Sequence, residues 1–299
     1  MRDLDLDEGC SAAHVGNAWS IANQLIEVHD VRGAQADVLA TRVTAVGGEV
    51  AMSVQVIGVD CATQPEKVGL ARGIAGDNMV RVLQARIAGR HTKVEDVLAE
   101  WIRAHDGPTL LAIDAPLGWP IGMRKALATH EAGAELEVDA EVMFRRATDL
   151  AIEGELGKRS LDVGANLIAR TAHSAIDVLQ SLRRMLSAPI PLAWDAFRIG
   201  QLAAIEVYPA ATLCSRRLSI KDYKDQANLH ARQSLRTLLA PELEIEANEH
   251  EILTKVDVFD ATVCVLAGMD FLLGKAACPA DLQGARVEGW IWANRRTAS

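Results

Sequence analysis

The sequence lacks any stretch approaching the ~20 consecutive apolar residues that a membrane-spanning helix needs. Its best candidate, Val263 to Leu273, is short and carries Asp270. The first eight residues, Met1 to Glu8, are acidic and hold no apolar secretory core. The five cysteines (Cys10, Cys61, Cys214, Cys264 and Cys278) are scattered, with no CxxC pair and no Cys/His cluster. That argues against structural zinc and a disulfide framework and fits a reducing, cytoplasmic setting. An excess of positive charge is missing as well: 31 Lys and Arg face 40 Asp and Glu, a net charge of −9. Such a chain gains little from sequence-independent attraction to phosphate. Any contact with nucleic acid would need a local basic surface or metal ions. Eight histidines form no HExxH, and there is no Walker A, GxGxxG or GxSxG pattern.

What is present describes an ordinary globular protein. With 299 residues, 49% of them apolar and 24% charged, the chain can form one large domain or two small ones. Residues 1–52 differ from the rest and are expected to form an N-terminal extension, helical or partly disordered. Helices are expected there around Asn17 to His29 and Gln35 to Val46. The domain proper is expected over 53–299, and Met52 is an alternative start.

Val54 to Asp60 is β-branched and nearly all apolar, as a strand covered on both faces would be. Val68 to Ala75 and Met79 to Ile87 read as a hairpin turning at Gly76-Asp77-Asn78. Val94 to His105 has helical spacing. Leu110 to Asp114 reads as a further strand, and a mainly helical insertion is expected over about 121–200. Ala203 to Tyr208 reads as another strand, followed by helices over Asp225 to Leu239 and Glu249 to Leu273. Such alternation predicts a layered α/β domain.

Three of these strands are apolar until a carboxylate closes them: Asp60, Asp114 and Glu206. A carboxylate beside a packed core is costly unless it is paired, hydrogen-bonded or metal-bound. In open α/β sheets, ligands gather outside the carboxyl ends of the strands. Each acid alone could cap a helix or hold a turn; the three together favour function. Asp257 and Asp260, three residues apart on the last long helix, flank its expected buried stripe of Ile252, Val256, Phe259, Val263 and Leu266. A solvated acidic helix edge is the plainer alternative. Like charges so close would be relieved by a cation, and oxygen-only donors suit Mg²⁺ or Mn²⁺ better than zinc.

The segments Gly58-Val59-Asp60, Ile113 to Gly118, Glu206 to Ala210, Tyr223-Lys224, Asp257-xx-Asp260-Ala261 and Glu288 to Trp292 occur in an order that resembles one family. It is domain-of-unknown-function family 429, described as RNase H-fold nucleases, and the resemblance covers roughly Val54 to Trp292. It implies an RNase H-like mixed sheet flanked by helices, with the helical insertion between the fourth and fifth strands. Asp60 would lie on the first strand, Asp114 at the end of the fourth and Glu206 on the fifth. The acidic helix is also similar to the last helix of Holliday-junction resolvases. Lys255 and Val256 stand where those commonly carry a His.

The resulting expectation is a metal-dependent nuclease, a hydrolase of phosphodiester bonds in DNA or RNA. Asp60, Asp114, Glu206, Asp257 and Asp260 would be catalytic, with Asp60, Asp114 and Asp260 as metal ligands. Lys221 and Lys224, near the Glu206 strand end, are candidates for substrate phosphate. Arg145 and Arg146, which with Asp149 resemble an Arg-rich family segment, are candidates too, although a solvated helix face is the commoner fate of such a run. Trp290 and Trp292 alternate as in a strand, with one expected on the core. Two alternatives stay open: an actin-like phosphotransferase or ATPase, which would need two such domains, and an RNase H-fold adaptor without activity.

Overall fold

A computed structural model describes residues 53–164 and 166–295. The expected N-terminal extension and its two helices lie outside the described residues. Six strands form one sheet. In chain order they are β1 (Val54–Asp60), β2 (Gly69–Ala75), β3 (Val80–Ile87), β4 (Thr109–Asp114), β5 (Leu202–Glu206) and β6 (Leu243–Ile245). Their order across the sheet is β5-β4-β1-β2-β3-β6. β2 runs antiparallel to both neighbours, while the β5-β4-β1 and β3-β6 pairings are parallel. The protein is thus an α/β protein with a mixed six-stranded sheet flanked by helices. Three parallel strands, β5, β4 and β1, therefore end side by side.

Ten α-helices and a short 3-10 helix at Pro65–Lys67 accompany the sheet among the described residues. α1 (Val94–Arg103) precedes β4; α2 (Ile121–Leu127), α3 (Ala140–Phe144), α4 (Ala147–Leu156) and α5 (Asn166–Leu186) form the insertion before β5. α6 (Pro209–Ser215) and α7 (Leu229–Leu239) follow β5. α8 (Glu249–Thr254), α9 (Val256–Leu272) and α10 (Leu282–Glu288) close the chain. Within the described residues, no helix is long and apolar enough to cross a membrane.

Strand alternation builds two apolar layers. Ile57, Val59, Leu111, Ile113 and Ala204 pack with α1 and α5. Val56, Leu110, Ala112, Ala203 and Ile205 pack on the opposite face with α9. Glycines let α9 lie almost against the strands. A Cβ on Gly58 would collide with the Ala261 carbonyl, and one on Gly69 with the Asp257 carbonyl.

Several details depart from the sequence expectations. The helix expected over Glu249 to Leu273 is broken at Lys255, whose backbone is extended (φ −110°, ψ 111°). Carbonyls that would continue α8 are taken by side chains instead. Arg232 Nε donates to Leu253 O at 2.6 Å and Gln226 Nε2 to Thr254 O at 2.6 Å. Every residue of α9 from Val258 to Phe271 is buried, so the helix is enclosed rather than striped. β6 and α10 were not expected. β6 is too short to show alternation, and α10 carries only an Asp281 cap, whose Oδ1 accepts from Gln283 and Gly284 N–H. Both Trp290 and Trp292 are buried, rather than one.

Candidate metal centre

Parallel pairing of β1 with β4 sets Asp60 directly opposite Asp114. Each is two residues beyond an α9-facing position, Gly58 or Ala112, so both side chains turn toward that helix. Asp260, one turn before Cys264 on α9, meets them because Gly58 draws the helix backbone onto β1. One carboxylate oxygen from each of Asp60, Asp114 and Asp260 lies within 4.8 Å of the others. Asp260 is only 1% exposed, whereas the other two are partly buried.

Among the described residues one cation sits in this cluster: Lys224 Nζ lies 2.8 Å from Asp260 Oδ2. The other oxygen, Asp260 Oδ1, is buried, and so is the Tyr223 hydroxyl that interacts with this carboxylate. A single lysine does not balance three carboxylates. Burial, then the charges of Asp260 and Asp114, hold Asp60 well above the ordinary carboxylate range. Burial likewise pushes Asp114 up to about 7, against Lys224 and with help from Asp260 and Glu206. Asp260 is raised by burial, although Lys224 opposes the shift. Burial works to lower the Lys224 ammonium, but Asp260 and Asp114 outweigh it and hold it above its usual value.

The remaining expected site residues fall elsewhere. Glu206 ends β5 as expected, but its register partner is Ile113, which belongs to the opposite apolar layer. The side chain therefore leaves the sheet on the other face from Asp60 and Asp114. There it accepts from Leu117 N–H (2.9 Å) and pairs with Arg146 (2.8 and 3.0 Å). Burial raises its pKa, and Arg146 counters the shift. Asp257 occupies the first turn of α9, half-buried, and is not one of the three converging acids. Its carboxyl is raised by burial and by Asp260, while Lys67, Lys224 and Lys255 oppose.

The two arginines are neither solvated nor available. Arg146 spends all five N–H donors inside the protein, on Asp149, Glu206 and the Glu288 carbonyl, at 2.8–3.2 Å. Arg145 pairs with Glu153 at 2.6 Å and Glu141 at 3.2 Å and donates to the Asp149 carbonyl at 3.2 Å. Both expectations, phosphate contact and a solvated helix face, fail here for one reason: the guanidiniums are consumed in fixing the insertion. Glu288 completes that anchorage, accepting from Ile121 and Ala147 N–H at 2.6 and 2.9 Å. Sequence reasoning missed this role, although Glu288 stood in a noted segment. Lys221 is exposed on the loop before Tyr223. The insertion also carries a groove of about 800 Å³, floored by Val142 and Leu150, which includes none of the three aspartates.

A family model described as "Protein of unknown function (DUF429)" matches residues 31–283. The match begins before the first strand and ends before the Glu288 to Trp292 segment, whereas the resemblance was placed over Val54 to Trp292. No curated protein and no solved structure gives a significant match to the chain.

Proposed function

The chain belongs to that family of proteins of unknown function, and within it we propose a divalent-metal-dependent phosphodiesterase acting on nucleic acid. The observation that carries the reading is the convergence of Asp60, Asp114 and Asp260 within 4.8 Å, with Asp260 almost wholly closed off from water. Three acids, one of them fully enclosed, are a costly arrangement that a hard cation would relieve. The all-oxygen donor set fits Mg²⁺ or Mn²⁺. When bound, such an ion supplies an activated water and charge neutralisation at the phosphodiester.

The chain's own residues supply the rest. Asp60 and Asp114 hold the floor of the site on adjacent strand ends, and Asp260 closes it from α9. Asp257, beside them, can orient water. Lys67, Lys224 and Lys255 surround Asp257 and give an acidic protein a local positive rim, which is what a phosphate backbone needs here. Asp60 and Asp114 at the ends of the first and fourth strands support the RNase H-like reading, whereas Glu206 on the fifth faces Arg146 on the other side of the sheet. The actin-like alternative needs two such domains, and the described residues hold one six-stranded sheet.

The test is incubation of purified protein with DNA and RNA panels in Mn²⁺, beside Asp60→Asn and Asp260→Asn. Cleavage lost in both variants supports the proposal. Cleavage retained in both identifies a contaminant, and phosphate transfer from nucleotide without any cleavage favours the phosphotransferase.

A further inference from the structure

Among the described residues, Lys224 is the one basic side chain ion-paired inside the acid cluster, and its surroundings suit a group that leaves. Its ammonium reaches Asp260 Oδ2 at 2.8 Å, yet the side chain is 52% exposed. The backbone that carries it is pinned: Arg232 Nη1 donates to the carbonyls of Tyr223 and Asp225, each at 2.7 Å. Tyr223 itself is buried against Phe259 of α9, with ring centroids 6.0 Å apart. The lysine can therefore swing outward by side-chain rotation alone, past the Tyr223 ring that its Nζ already lies over at 5.7 Å. No loop has to open.

A divalent ion that takes Asp260 Oδ2 competes with that ammonium for the same oxygen. Oxygen ligands hold Mg²⁺ at about 2.1 Å, so an ion bound to Oδ2 would stand within a few ångströms of Nζ. Two cations at such a separation repel strongly where water is scarce. We propose that Lys224 and the divalent ion are alternative occupants of the Asp60–Asp114–Asp260 site, and that the displaced ammonium becomes a contact for substrate phosphate at its mouth. This rests on the metal reading above. It also accounts for both exposure and pairing: the stem is wet because the head group must reach two places.

The exchange predicts that removing the ammonium strengthens metal binding, whereas an ordinary strut would weaken it. Mn²⁺ affinity is measured by isothermal titration for the full chain, for Lys224→Met and for Lys93→Met. The last removes a charge from an exposed residue at the start of α1, on the other side of the sheet. Loss of a charged hydrogen bond that competes with the ion should tighten Mn²⁺ binding by about tenfold or more in Lys224→Met, with little change in Lys93→Met. Metal-free Lys224→Met should melt earlier than the parent and recover its melting temperature in Mn²⁺. Lys224→Gln, which keeps a donor without the charge, serves if the methionine variant does not fold. Equal or weaker Mn²⁺ binding in the Lys224 variants, with the parent binding normally, overturns the exchange and leaves the metal site standing. No Mn²⁺ binding by any of the proteins overturns both.

Discussion

Asp114 gives the acid cluster a pH signature. Its carboxyl is pushed from an ordinary 3.8 to about 7, chiefly by burial. Between those values the unfolded chain has released a proton that the folded protein still holds. Stability of the metal-free protein therefore falls as pH rises through that window and levels off above it. A thermal-melt series from pH 4 to 8 in chelator should show this decline. Asp114→Asn should make it shallower, since an amide does not titrate while the raised carboxyls of Asp60 and Asp260 still do. Protons and metal compete for the same oxygens, so Mn²⁺ affinity should rise across the same range. Asp60→Asn addresses the ligand itself: it should abolish most of the melting-temperature gain in Mn²⁺ while raising the metal-free value by easing repulsion. An undiminished metal response in Asp60→Asn would place the ion elsewhere.

At the scale of elements, the site depends on how closely α9 lies on β1. Gly58→Val places a branched side chain against the Ala261 carbonyl and should cost about 1–3 kcal/mol in urea unfolding. The same change should weaken the metal response, because α9 carries Asp260 and must move. Arg146→Met tests a different joint. It would strand Asp149 and Glu206 as buried, unpaired charges, a loss of about 3–5 kcal/mol. Substrate affinity per folded molecule and its salt dependence should not change. A reduced salt slope at full stability would restore Arg146 as a phosphate ligand.

These elements also show what the sequence made legible. β1 was readable to the residue because a central strand is apolar on both faces and ends abruptly at Asp60. The same rule found Asp114, and helical spacing brought Asp260 to the strand ends. Glu206 misled because a run of apolar residues hides which of them face which layer. Its one-residue offset against β4 sends it to the other side. Arg146 misled because an arginine in a polar helical segment looks solvated, and nothing local announces partners 60 and 142 residues away. The break at Lys255 was likewise unreadable: Arg232 of α7 and Gln226 in the turn before it make it, from a distant part of the chain.

Across the whole molecule, the six strands found among the described residues begin at Val54 or later, and the described residues alone form an apolar layer on each face of the sheet. A chain beginning at Met52 should therefore unfold in one cooperative thermal transition and keep its response to Mn²⁺. A molten or insoluble product would show that the preceding residues, of which 31 onward fall within the family match, belong to the core. The central claim is that three carboxylates from two strand ends and one helix hold a single divalent centre. Anomalous diffraction from crystals soaked in Mn²⁺ tests it most directly. The account predicts a strong peak at coordination distance from Asp60, Asp114 and Asp260, with Lys224 turned away from Asp260. A peak at other residues, or none with the Lys224–Asp260 pair intact at saturating Mn²⁺, would contradict it.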